Sequence, residues 1–171
     1  MLLHYPIRST MFAATLTLSC VALAQSPLKV ESESRDAAAA FVGTENFMIG
    51  RIGRDCMAVL GRMETPQQFV QAWQGRNSKY YVSSITYMAK RLDEALAEGG
   101  TSKRDTVLSA YVTAIQKDGA AAANDWLSQG ERKQACERAV ATIESGAADI
   151  TPKIRMFGEL EALTDWVERH P

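Results

Sequence analysis

Residues 73–96 read WQGRNSKYYVSSITYMAKRLDEAL, a polar, aromatic-rich corner followed by the longest clean amphipathic pattern in the chain. Tyr81, Ile85, Met88, Leu92 and Leu96 recur at steps of four, three, four and four, which puts them on one stripe of a helix. A helix of this length has to bury such a stripe against several others, so the segment is expected to form the spine of an all-α fold. Asn77 or Ser78 caps it, and Gly99-Gly100 is expected to stop it.

The flanking sequence reads the same way. Thr65-Pro66-Gln67-Gln68 combines a capping residue, Pro at the first helical position and Gln at the third, a reciprocal helix start for Phe69, Val70 and Trp73. Before it, Thr44 is positioned to cap a helix over 44–63, with Ile49, Ile52, Cys56, Val59 and Met63 on its apolar face. Gly50 and Gly53 flank Ile52 and would let another helix approach closely. Ser34 is placed to start a short first helix that Gly43 ends, behind a flexible lead from Gln25.

C-terminal to the spine, Thr101 or Ser102 opens a helix bearing Val107, Leu108, Tyr111, Val112 and Ile115, closed by Gly119. A short alanine-rich helix carries Trp126 as far as Leu127. Ser128 and Glu131 form a capping pattern ahead of a helix that buries Cys136, Val140 and Ile143 and stops at Gly146. Thr151-Pro152 begins the last helix, with Met156 or Phe157, Leu160, Leu163 and Val167 inward and Trp166 beside them. Alternating β-branched runs are missing. The expectation is an all-α, single-domain bundle of six or seven helices, with residues 44–171 as the helical domain and 25–43 as its lead.

The first residues point to export. MLLHYPIRST carries one Arg and no acid, Met11 to Leu23 is uncharged, and Ala22-Leu23-Ala24 supplies a small-x-small cleavage pattern. Residues 1–24 are therefore read as a cleaved signal peptide, too short in its apolar part for a membrane span. Cys20 does not complete a lipobox, because Thr17 stands where Leu belongs. The mature chain has 171 − 24 = 147 residues and, with Arg8 removed, 18 basic against 20 acidic side chains, a net charge of −2. Such a balance offers no basic face for nucleic acid. Localisation is expected to be periplasmic or secreted.

Two cysteines remain, Cys56 and Cys136, each on the apolar stripe of its own expected helix. An even count in an exported chain predicts a disulfide. It would tie the second helix to the penultimate one and, in the chain-entropy model, stabilise the fold by about 4 to 5 kcal/mol.

Catalytic chemistry is sparsely supplied. His4 leaves with the signal and His170 is the penultimate residue, so Ser–His and Cys–His pairs have no base. Zinc clusters, EF-hand ladders and phosphate-binding glycine loops are missing from the pattern, and no cofactor or metal is expected. Carboxylates such as Glu45, Asp149, Glu159 and Glu161 are present, without a pair that stands out. The candidate binding residues are those of the corner: Trp73, Arg76, Asn77, Tyr80 and Tyr81. Arg51, Arg54 and Arg62 form a second, arginine-rich candidate face.

These features lean away from an enzyme. They suggest an exported non-catalytic protein that binds another protein or an envelope component, in the manner of a chaperone, inhibitor or immunity protein. The alternatives are a helical bundle that holds a small ligand near Trp73 and Trp126, and a carboxylate-based cell-wall hydrolase.

Overall fold

The computed structural model describes residues 29–171, and the regular structure of those residues is entirely helical. Five helices follow one another: α1 (Glu33–Cys56), α2 (Pro66–Arg76), α3 (Ser78–Leu127), α4 (Arg132–Glu144) and α5 (Phe157–Arg169). The expected signal peptide, with Cys20, lies outside the described residues. Among the described residues no helix is long and apolar enough to cross a membrane.

The centre of the fold is shared by α1 and by α3, which contains the expected spine: each packs against all four other helices. α1 is the more deeply covered, with Ala38, Val42, Ile49, Ile52 and Cys56 along it fully buried. The long α3 lies against it in two arms. At Gly99 (φ −150°, ψ 21°) and Gly100 (φ 67°, ψ −165°) the torsions leave the helical region, and the second pair is open essentially to glycine alone. The first arm runs antiparallel to α1: Glu94 meets Val30 and Glu31, Tyr87 meets Asp36, and Gln74 just before the arm meets Asn46. The second arm runs parallel to α1, with Tyr111 at Asp36 and Gly119 at Thr44 and Phe47.

Five helices replace the expected six or seven because the two arms of α3 count as one helix across the Gly99–Gly100 bend, where the expected stop leaves only a kink, and because two other glycines do something other than stop a helix. A Cβ on Gly43 would stand 2.5 Å from Cδ1 of Ile115, and one on Gly119 would stand 2.8 Å from Cδ1 of Phe47 and 3.0 Å from the Thr44 carbonyl oxygen. Both mark the crossing of α1 and the second arm of α3: Gly119 lies against the α1 backbone at Thr44, and Gly43 leaves the space that the Ile115 side chain fills. Helix propensity alone reads them as breaks, while the packing retains them inside continuous helices. Thr44 accordingly lies within α1 and caps nothing. The close approach expected at Gly53 is present, with α2 as the partner: a Cβ there would meet Phe69 at 3.1 Å.

The helix ends are mixed. The Thr65–Gln68 capping box forms in both directions. The Ser128–Glu131 box does not: α4 starts at Arg132 without a side-chain cap. Residues 151–156 form turns rather than a helix start, as Ile154 N–H donates to the Thr151 carbonyl (3.1 Å) and Phe157 N–H to that of Ile154 (3.2 Å). α1 stops at Cys56, and a turn through Gly61 (φ 64°) carries Val59 and Met63, expected in the core, to the surface.

Cys56 and Cys136 form the disulfide, both fully buried, closing a sequence separation of 80 residues. Because α1 absorbs the expected short helix, the bridge joins the first helix, rather than the second, to the penultimate α4.

The two kinds of glycine separate in a stability measurement. Gly119→Ala is expected to destabilise the protein by about 1–3 kcal/mol through overpacking, despite better helix propensity. Gly75→Ala in α2, with nothing within 4 Å of its added Cβ, is expected to gain up to about 1 kcal/mol. Urea denaturation of the two variants checks the opposite signs.

Candidate functional site

The corner residues are drawn into the fold. Trp73 is fully buried and its Nε1–H donates to the Ala148 carbonyl at 3.1 Å. Arg76 holds Asp149 through two nitrogens (2.9 and 3.2 Å) and donates to the Ile143 carbonyl (2.6 Å). Asn77, 3% exposed, uses both ends of its amide: Nδ2 donates to Trp73 O (2.9 Å) and Asp149 (3.1 Å), while Oδ1 accepts from Ile150 N–H (2.7 Å). Together these bonds fasten the α2–α3 junction to the α4–α5 connection. Tyr80 donates to Glu161, which Lys79 also grips, and burial with that hydrogen bond pushes its hydroxyl up to about 12. Of the five, only Tyr81 faces a groove.

The arginine set does not converge either. Arg51 pairs with Asp55 one turn away, Arg62 with Glu64 and Glu144, and Arg54 lies over the Phe47 ring at 5.8 Å.

The apolar stripe of α3 is placed differently from its expected position. The buried residues of the first arm are Ser83, Ser84, Tyr87, Arg91 and Ala95, the last four each one position before a member of the expected stripe. The helix is thus rotated by about 100° from the orientation its hydrophobicity predicts. Ile85 is 51% and Leu96 39% exposed. A polar hub takes the inward side. The Asp36 carboxylate accepts from the hydroxyls of both Tyr87 and Tyr111, and Arg91, only 6% exposed, pairs with Glu31 (2.9 Å), Glu94 (3.3 Å) and, more distantly, Asp36 (3.9 Å). Burial, reinforced by Asp36, holds both phenols above their ordinary range. Glu94 receives the backbone N–H groups of Val30 and Glu31 (2.7 and 2.8 Å).

What the hub displaces outward lines an open groove of about 480 Å³. Tyr81, Ile85, Met88 and Leu92 form one wall, Ile115 the other, and Val42, Gly43 and Phe47 of α1 the floor. The sequence pattern found the first wall and misplaced it; Phe47 and the role of Gly43 it missed. A Gly–Phe pair one turn apart on α1, with no bulky residue between them on that face, was the available signal.

A second, smaller pocket of about 120 Å³ adjoins Trp126, bounded by Phe41 and Glu45 of α1 and residues 147–150 and Ile154 of the α4–α5 connection. Burial pushes the Glu45 carboxyl up. Among the described residues no group of three or more His, Cys, Asp or Glu side chains is placed to hold a metal ion.

Two outcomes follow. Tyr87→Ala should cost about 3–5 kcal/mol, and Ile85→Glu should stay within about 1 kcal/mol of the parent; the orientation expected from hydrophobicity alone would rank them the other way, and chemical denaturation decides. For Glu45, the unfolded value is about 4.3. Below that pH the carboxyl is neutral in both states, and the cost of burying its charge develops as pH rises through the unfolded value towards the raised folded one. Glu45→Gln should therefore raise the melting temperature at pH 8, with the gain vanishing below about pH 4.

No protein-family model, curated protein or solved structure matches this chain.

Proposed function

We propose that this is an exported, non-catalytic protein that acts by binding another protein, and that the groove between α1 and the two arms of α3 receives an amphipathic helix of that partner. The single observation that carries the reading is the incompletely buried stripe of α3: Ile85 is 51% exposed, and Tyr81, Met88 and Leu92, half-buried at the edge of the core, line an open groove beside it. Between Tyr81 and Leu92 the wall extends about 16 Å, or three helical turns. Both walls and floor are helices whose backbone groups bond internally, so they offer no edge for strand addition, and an apolar helix face is the matching occupant. Export is supported by the composition of residues 1–24 and by the Cys56–Cys136 bridge, which suits an oxidising compartment.

A photo-crosslinking amino acid at Ile85, in protein recovered from the cell envelope with its N-terminus at Gln25, tests the reading. A discrete adduct whose crosslinked peptide maps to an amphipathic helix, and which disappears when Met88→Glu is added, is the expected result. Equal adducts from an exposed position on the far side, such as Lys133, would remove the groove from consideration. A recovered chain that still begins at Met1 would remove export.

A further inference from the structure

We propose that the pocket beside Trp126 recognises a small alkylammonium cation, the kind of group carried by choline, with Glu45 as its counter-ion. This site is separate from the groove and does not rest on the partner reading above. Three elements converge on it: Phe41 and Glu45, one turn apart on α1; Trp126 near the end of α3; and Ala147, Ala148, Asp149, Ile150 and Ile154 from the α4–α5 connection. Its volume of about 120 Å³, a quarter of the groove's 480 Å³, suits a small group rather than a helix.

The chemistry of the walls selects the charge. Asp149 is already engaged by Arg76 and Asn77, but Glu45 makes no hydrogen bond or ion pair within the described residues. The nearby backbone offers it no donor from Ala147, Asp149 or Ile150, whose N–H groups go to Thr142 O, Gly146 O and the Asn77 side chain. Its upward-shifted carboxyl is what burial without a partner produces. An anion would meet two carboxylates and is excluded on charge. A metal ion would find one uncommitted carboxylate and, among the described residues, no cluster of three His, Cys, Asp or Glu side chains to hold it. What remains is a cation that is satisfied by one carboxylate and the faces of aromatic rings, and alkylammonium groups are held in this way by indole and phenyl walls.

The ligand chemistry could be free in solution or borne on a lipid headgroup, and one titration scheme covers both. In the ¹⁵N-labelled protein, choline is expected to shift the Trp126 indole N–H resonance saturably. The neutral isostere 3,3-dimethylbutan-1-ol should do so at least about tenfold more weakly. Glu45→Gln, followed through the same indole resonance, and Trp126→Leu, followed through the backbone amides of Ala147 to Ile150, should each weaken choline binding by a similar factor, with folding checked by circular dichroism. Choline-competed co-sedimentation with phosphatidylcholine vesicles would assign the group to lipid, and saturation without co-sedimentation to the free cation. The proposal is overturned if choline fails to saturate, if the neutral isostere binds equally well, or if both variants bind choline as the parent does.

Discussion

The carboxylate of Asp36 governs how the rest of the chain is arranged. Two tyrosine hydroxyls from opposite arms of α3 donate to it, and the guanidinium of Arg91 stands beside it among Glu31 and Glu94. Arg91 is the buried charge of the group, while Asp36 and Glu31 keep 28% and 41% of their side chains exposed. A buried charge is tolerated when it is paired, and the pairing is made with both arms of α3 laid along α1 and Tyr87 and Arg91 turned inward. Arg35 extends the arrangement to α5, stacking over Trp166 at 4.7 Å while its Nη2 donates to the Val30 carbonyl. The hub therefore brings together the start of α1, both arms of α3 and the last helix.

The groove is a direct consequence. A helix has one inward side, and on α3 polar residues occupy it. The stripe that would ordinarily be buried is turned by one residue, which leaves Ile85 and Leu96 exposed and Tyr81, Met88 and Leu92 half-buried at the edge of the core. Area burial alone would favour the opposite orientation, since each buried aliphatic side chain contributes about 1.5–3 kcal/mol. Geometry reverses that preference: the hub orders two arms separated by a glycine bend, and the Gly43 and Gly119 contacts draw the second arm so close to α1 that Ile115 becomes the far wall. The Asn77–Asp149–Arg76 bonds and the Cys56–Cys136 bridge then hold α2, α4 and the α4–α5 connection against the opposite end of α1.

Much of the helical content was readable locally. The Thr65 capping box, the stop at Gly146 and the inward trio of Cys136, Val140 and Ile143 all occur where short-range chemistry places them. The corner residues stand out by composition alone. Their polar atoms, however, close bonds to residues more than sixty positions away in Ile143, Asp149 and Ile150, which no local pattern discloses. Glu45 looked like one solvated acid among many until Trp126 and the α4–α5 connection folded over it.

The sequence by itself determined that this chain is helical and where several helices begin, because propensity and capping act over a few residues; it pointed to the Cys56–Cys136 pair through their places on apolar helical stripes, with Cys20 set aside by the reading of residues 1–24. Only the tertiary structure decided which side of α3 faces inward, that Gly43 and Gly119 are crossings rather than breaks, and that Glu45 lines a pocket. The physical reason is common to all three. Asp36 meets its tyrosines across 51 and 75 residues, and a glycine reads as a breaker until the partner backbone that needs its missing side chain is in place. Read alone, residues 73–96 announced a core stripe; the fold turned that stripe outward, where it lines the groove.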